Sequence, residues 1–207
     1  MLECHQAYKC ITLTLNNLGL LYKQTGKLSL SARYFKQILE IEQAVKADLD
    51  SQDEPPVEKI KDICKELAST LINLCSLYSA MHKHEIALRF ARRANQLLEG
   101  AFLEELRQVS PVQAQDPAFL NLVQVIATSY HNTGVEFEHL RDYAQTLKFY
   151  LLAFSLANRF LGADHPLCKL FQSSFAHVKS LRDNSQEPDA QQRSEEALIK
   201  GKIHPKI

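Results

Sequence analysis

The stretch LNNLGLLYKQTGKLSLSARYFKQILEI, residues 15–41, reads as two amphipathic helices joined by a short turn. Leu15, Leu18 and Tyr22 fall at the three- and four-residue spacing that places side chains on one helical face. Gly26 breaks the pattern, and Ser31, Phe35 and Ile38 resume it on a second helix. Two further stretches align with this one over 27-residue windows without a gap. They are LINLCSLYSAMHKHEIALRFARRANQL from Leu71 and YHNTGVEFEHLRDYAQTLKFYLLAFSL from Tyr130. A large residue opens each window: Leu15, Leu71, Tyr130. Leu18, Leu74 and Thr133 follow, then a small residue (Gly19, Cys75, Gly134) and an aromatic (Tyr22, Tyr78, Phe137). On the second helix Ser31, Ala87 and Thr146 are small, followed by Phe35, Ala91 and Tyr150, then Ile38, Ala94 and Ala153. Small residues let antiparallel helices approach closely, and bulky ones fill the space between turns.

Outward from these windows the helical period dominates. It predicts seven helices, at about 3–24, 28–47, 56–81, 84–106, 117–138, 142–161 and 167–182. The acidic run from Asp48 to Pro56 and the polar run from Pro111 to Pro117 read as linkers. Gly162 to Pro166 closes the sixth helix, with Pro166 where a first turn tolerates proline. The helical domain therefore covers 1–182, with repeats at about 12–47, 68–106 and 127–162 and a terminal helix at 167–182. Residues 183–207 turn polar and read as a flexible tail, within which Asp189 can cap a short helix ending near Gly201. The first helix begins almost at Met1 without a capping residue. A solenoid end normally carries a polar cap, so a longer array or a covering partner is the expectation here.

Composition narrows the function. The 207 residues hold 24 basic and 24 acidic side chains, so net charge gives no reason to expect nucleic acid or an anionic membrane as partner. No stretch approaches the ~20 apolar residues of a membrane span. The five cysteines are dispersed and form no CxxC pair, which fits a reducing, cytoplasmic setting rather than a disulfide framework. His82 and His84 flank a turn, and His131 and His139 share a helix, but neither pair has a third ligand at metal spacing. Cys4 and Cys10 lack a neighbouring histidine–acid pair, and no Gly-rich phosphate loop or GxSxG occurs. Neither an enzyme nor a cofactor protein is expected.

The column order, large–large–small–aromatic and then small–aromatic–small, resembles the tetratricopeptide repeat family. The match departs at Ala91, where an aromatic is expected, at Ile38, where alanine is expected, and at Thr133. Gly19 to Cys75 spans 56 residues and Cys75 to Gly134 spans 59, against 34 for the usual repeat. Longer repeats of this kind resemble those of the kinesin light chain group. So do the Leu161–Pro166 boundary (LGADHP) and the Asn17–Tyr22 run (NLGLLY). The resemblance implies an all-α, right-handed solenoid of three helical hairpins plus a C-terminal helix. Its implied role is a scaffold that binds a protein segment in its concave groove, or a fixed subunit of a cytoskeletal, motor or ciliary assembly.

One column gives this groove candidate residues. Asparagine recurs two positions before the small residue, at Asn17, Asn73 and Asn132. Asparagine is unfavourable inside a helix, yet its amide both donates and accepts, which suits a ligand backbone. Ser69 and Thr128 four residues earlier, with Leu13, and Ser76 three later, with Leu20 and Val135, share that face. No Lys or Arg occupies these columns. The family's carboxylate-clamp subgroup needs cations there, so an extended segment or a helix is the expected ligand rather than a C-terminal carboxylate. Arg89, Arg92 and Arg93 form a basic stripe, with Glu85 placed to pair with Arg89 on a solvated face.

Overall fold

Helix α1 (Leu2–Gln24) ends in a tight turn that the chain then repeats twice. Gly26 lies in the left-handed region at φ 73°, and Lys27 N–H donates back to the Tyr22 carbonyl at 2.9 Å. That bond closes the helix end and reverses the chain into α2 (Leu28–Asp50). The same turn links α3 (Val57–Ala80) to α4 (His84–Gln108), through His82 at φ 55° and Lys83 N–H on the Tyr78 carbonyl. It links α5 (Pro117–His139) to α6 (Tyr143–Phe160), through Arg141 at φ 62° and Asp142 N–H on the Phe137 carbonyl. The acceptor is the aromatic column each time, so the repeat is geometric as well as compositional. Helix α7 runs Pro166–Lys200. This computed structural model describes the backbone of residues 2–110 and 116–200, and the side chains of 7–110 and 116–183. Among the described residues there are seven helices and no strand.

Each hairpin packs on the next, α2 against α3, α4 against α5 and α6 against α7, in the consecutive order of a tetratricopeptide-like solenoid. Helix α3 lies at the centre, and its Ile63, Leu67, Leu71, Leu74 and Leu77 are buried. Inside the hairpins the small and aromatic columns meet. A Cβ added to Gly19 would stand 3.0 Å from the Phe35 ring, and one at Gly134 only 2.4 Å from Tyr150. At the equivalent crossing the pair is Cys75 and Ala91, both fully buried. Cys75, in the column that holds glycine in the other repeats, returns part of the volume lost at Ala91.

The helices outrun the sequence expectation in three places. Helix α2 continues to Asp50, three residues into the expected acidic linker, because Leu49 is buried and Lys46 pairs with Asp50 at 2.6 Å. Helix α4 likewise reaches Gln108, with Leu106 buried. In the second linker, residues 111–115 lie outside the described residues, but Asp116 caps α5 by accepting from Ala118 N–H at 3.1 Å. Helix α7, expected to stop at 182, continues to Lys200, so Asp189 falls inside it rather than at the start of a short helix in a flexible tail; the side chains from residue 184 lie outside those described.

Candidate functional site

Helices α3 and α5 pack together, whereas α1 and α3 scarcely touch. Between α1 and α3 lies a cleft of about 380 Å³. Lys9, Thr12, Leu13 and Asn16 of α1 form one wall, and Lys65, Glu66, Ser69, Thr70 and Asn73 of α3 form the other. The floor is Ile38 and Glu42 of α2. Two tethers hold the walls. At one end Glu66 accepts from Tyr8 Oη at 3.3 Å and pairs with Lys9 Nζ at 3.6 Å. Burial, then the Glu66 charge, raise the Tyr8 phenol above its ordinary value. At the other end Lys23 Nζ donates to Ser76 Oγ at 2.7 Å. Burial lowers the Lys23 ammonium, against an opposing pull from Cys75.

The predicted groove residues divide. Ser69 and Asn73 come together in the cleft wall, and Ser76 is taken by Lys23. Asn17 is exposed on α1 and does not line the cleft. Its neighbour Asn16 does, because it is the flank carrying Asn16 and Thr12 that α1 turns toward α3. Thr128 and Asn132 are half-buried on α5, outside the cleft. The Asn132 amide bonds to His131, which stacks on Tyr150 and Phe171 and contacts Ser174 Oγ at 3.0 Å. Burial holds the His131 imidazole below its ordinary value, against the Asn132 bond and the Glu138 charge.

The cleft is not free of cations. The asparagine columns carry none, but Lys9 and Lys65 sit two helical turns earlier on the same faces, and long lysine stems bring charge to the cleft. The basic stripe also differs from its expectation. Arg92 lies over the Phe137 ring at 5.1 Å, and Arg93 donates to the Gln43 amide oxygen at 2.7 and 3.1 Å in the amide orientation that suits both groups. No ion pair joins Glu85 to Arg89.

Sequence reasoning passed over two buried acids. Glu42 is 4% exposed and accepts from Thr70 Oγ1 at 3.1 Å. Glu136, also buried, meets His84 Nδ1 at 2.9 Å and lies 4.0 Å from Cys75 Sγ. Burial first, then the Glu136 charge, push the Cys75 thiol up to about 12, so it stays a thiol. The available signal was periodicity: Glu42 follows Phe35, Ile38 and Leu39 on the apolar stripe of α2. A carboxylate therefore does reach His84, from another helix, but the His84 and His139 rings stack at 4.0 Å rather than converge on a common point. Among the described residues no group of three can hold a metal ion. Among the same residues no helix is long and apolar enough to cross a membrane.

Comparison with known proteins agrees with this architecture. Residues 12–48 match the sequence model of the family described as tetratricopeptide repeat. Among solved structures the chain is similar to BtubC (BKLC) from P. vanneervenii, a bacterial kinesin light chain-like protein, at 17% identity and a TM-score of 0.59. That alignment covers 97% of this chain and 68% of the other. No curated protein sequence matches the chain. The fold is thus that of a tetratricopeptide-like helical solenoid.

Proposed function

We propose that this chain is a non-catalytic protein–protein interaction scaffold that seats an extended partner segment along its inner helices. One observation carries the reading: the cleft between α1 and α3, whose walls present Asn16, Ser69 and Asn73 to solvent-borne chain. Amides and hydroxyls at the edge of an apolar face recognise peptide backbone without demanding a particular side chain. Leu13 and Leu20 are exposed beside them and supply apolar area. The setting is cytoplasmic, and no nucleic acid or cofactor enters.

A second reading is a fixed subunit of a cytoskeletal, motor or ciliary assembly. Ile11, Leu13 and Leu21 of α1 favour it, each more than half exposed on an end helix. The kinesin light chain-like neighbour favours the same setting.

A photocrosslinking side chain placed at Ser69, and separately at Arg89 on α4, tests the groove in extract from the native source. The expected result is a discrete adduct from Ser69 that the double substitution Asn16→Ala, Asn73→Ala weakens while helicity is unchanged. Equal adducts from both positions, or adducts indifferent to the double substitution, contradict it. Competition by a short synthetic segment of the captured partner marks an adaptor. A requirement for the whole partner marks the fixed subunit.

A further inference from the structure

The floor of the α1–α3 cleft holds an incomplete hydrogen-bonding group. Glu42 sits on the apolar stripe of α2, with Thr70 donating to its Oε1 at 3.1 Å. Its Oε2 is buried and has no hydrogen-bond partner among the described residues, and Glu42 lines the same cleft. A buried polar atom left unsatisfied is costly, and such an atom at the bottom of an open cleft marks what the cleft lacks. The volume, about 380 Å³, lies within the roughly 300–1,000 Å³ of ligand pockets. It is far more than one water needs. The second acid at this site, Glu66, stands close enough for its charge to act on Glu42.

We propose that the cleft takes a lysine or arginine side chain of the partner segment, with Glu42 Oε2 as counter-ion and the Asn16 and Asn73 amides holding the adjoining backbone. This deepens the groove reading and rests on it. Charge complementarity selects the occupant. A cationic N–H donor supplies the hydrogen bond that Oε2 lacks and, by drawing the acid into its ionised form, leaves the buried pair without net charge. The groups facing Glu42 are Tyr8 and Lys9 from α1 and Lys65, Glu66 and Thr70 from α3. Lys9 is spent on Glu66.

The proton follows from the same geometry. Burial, with a smaller push from Glu66 and against the Thr70 bond, raises the Glu42 carboxyl to about 8. In the empty cleft it is therefore neutral at pH 7. An entering cation favours the ionised form, so binding releases a proton to solvent. Affinity then climbs with pH up to about 8 and is level above it. A partner carbonyl accepting from the neutral acid would give the opposite slope.

Two blocked pentapeptides, Gly-Ser-Lys-Ser-Gly and the same sequence with norleucine at the centre, test this on the whole chain by NMR. The lysine peptide is expected to bind tighter by about ten-fold or more. It should shift the Ser69 and Asn73 amides and move the Glu42 carboxyl carbon to its ionised position. Glu42→Gln, which can still accept from Thr70, should remove the preference. Glu42→Met serves if the glutamine variant does not fold. Equal binding of both peptides, a preference that survives both substitutions, affinity that falls with pH, or no response at millimolar peptide overturns the proposal. None of these results alters the asparagine-dependent crosslink at Ser69, which tests the groove reading separately.

Discussion

A methyl group has no space at Gly134. The Tyr150 ring would stand 2.4 Å from it, and Tyr150 is itself buried with its hydroxyl donating to Glu138 at 2.6 Å. Gly134→Ala is expected to cost about 1–3 kcal/mol, read as a lower midpoint in urea at unchanged slope. The larger Tyr150→Ala cavity should partly rescue it in the double variant. Glu42 carries a second prediction. Its carboxyl is raised from an ordinary 4.5 to about 8, so the folded state binds a proton that the unfolded state has already lost in that window. Stability contributed by the neutral form is therefore full below about 4.5, declines as pH rises, and is gone above about 8. The melting temperature of the parent chain should fall between pH 5 and pH 8 relative to Glu42→Gln, which has nothing to titrate there. Parallel curves would contradict the assignment. Neither residue was legible at this depth. The small column identified Gly134 as a close approach, but not how little space the Tyr150 ring on the partner helix leaves there. Glu42 reads as a surface acid until α3 is laid over it.

The helices and their hairpins were legible because breaks and periodicity are local. All seven starts and stops lie within a few residues of expectation, except where tertiary burial of Leu49 lengthened α2 and where α7 continues to Lys200. The turns were less so. Only Gly26 advertises a left-handed residue, whereas His82 and Arg141 adopt the same conformation against their preference because the hairpins on either side require it. What joins one hairpin to the next was not legible. Between α4 and α5, Asn95 Nδ2 donates to Thr133 Oγ1 at 2.9 Å, and Ser129 Oγ donates to Asn95 Oδ1 at 2.6 Å, all buried. This network explains Thr133, which departs from the large residue expected in its column. Asn95→Ala leaves both hydroxyls short of a partner and is expected to cost about 2–3 kcal/mol. Thr133→Val, made alone and together with Asn95→Ala, measures the coupling. Strict additivity would contradict a shared network.

At the scale of the molecule, the chain stacks three hairpins and a seventh helix so that α1, α3 and α5 form one row and α2, α4 and α6 another. The rows are unequal in what they offer. The first row opens between α1 and α3, with polar walls and a buried acid beneath, whereas Arg92 and Arg93 of the second are already engaged with Phe137 and Gln43. Of the asparagine column only Asn73 reaches the cleft, because a helix turns one flank to its predecessor and the other to its successor. Which flank is open is decided by the packing of neighbouring helices, which a column of the sequence does not carry. Hydrogen–deuterium exchange of the chain with and without the partner captured at Ser69 tests the central claim most directly. The account predicts slowed exchange in peptides covering 9–20 of α1 and 65–76 of α3, with α4 and α6 unchanged. Protection confined to α2, α4 and α6, or to the ends of the array, would contradict it.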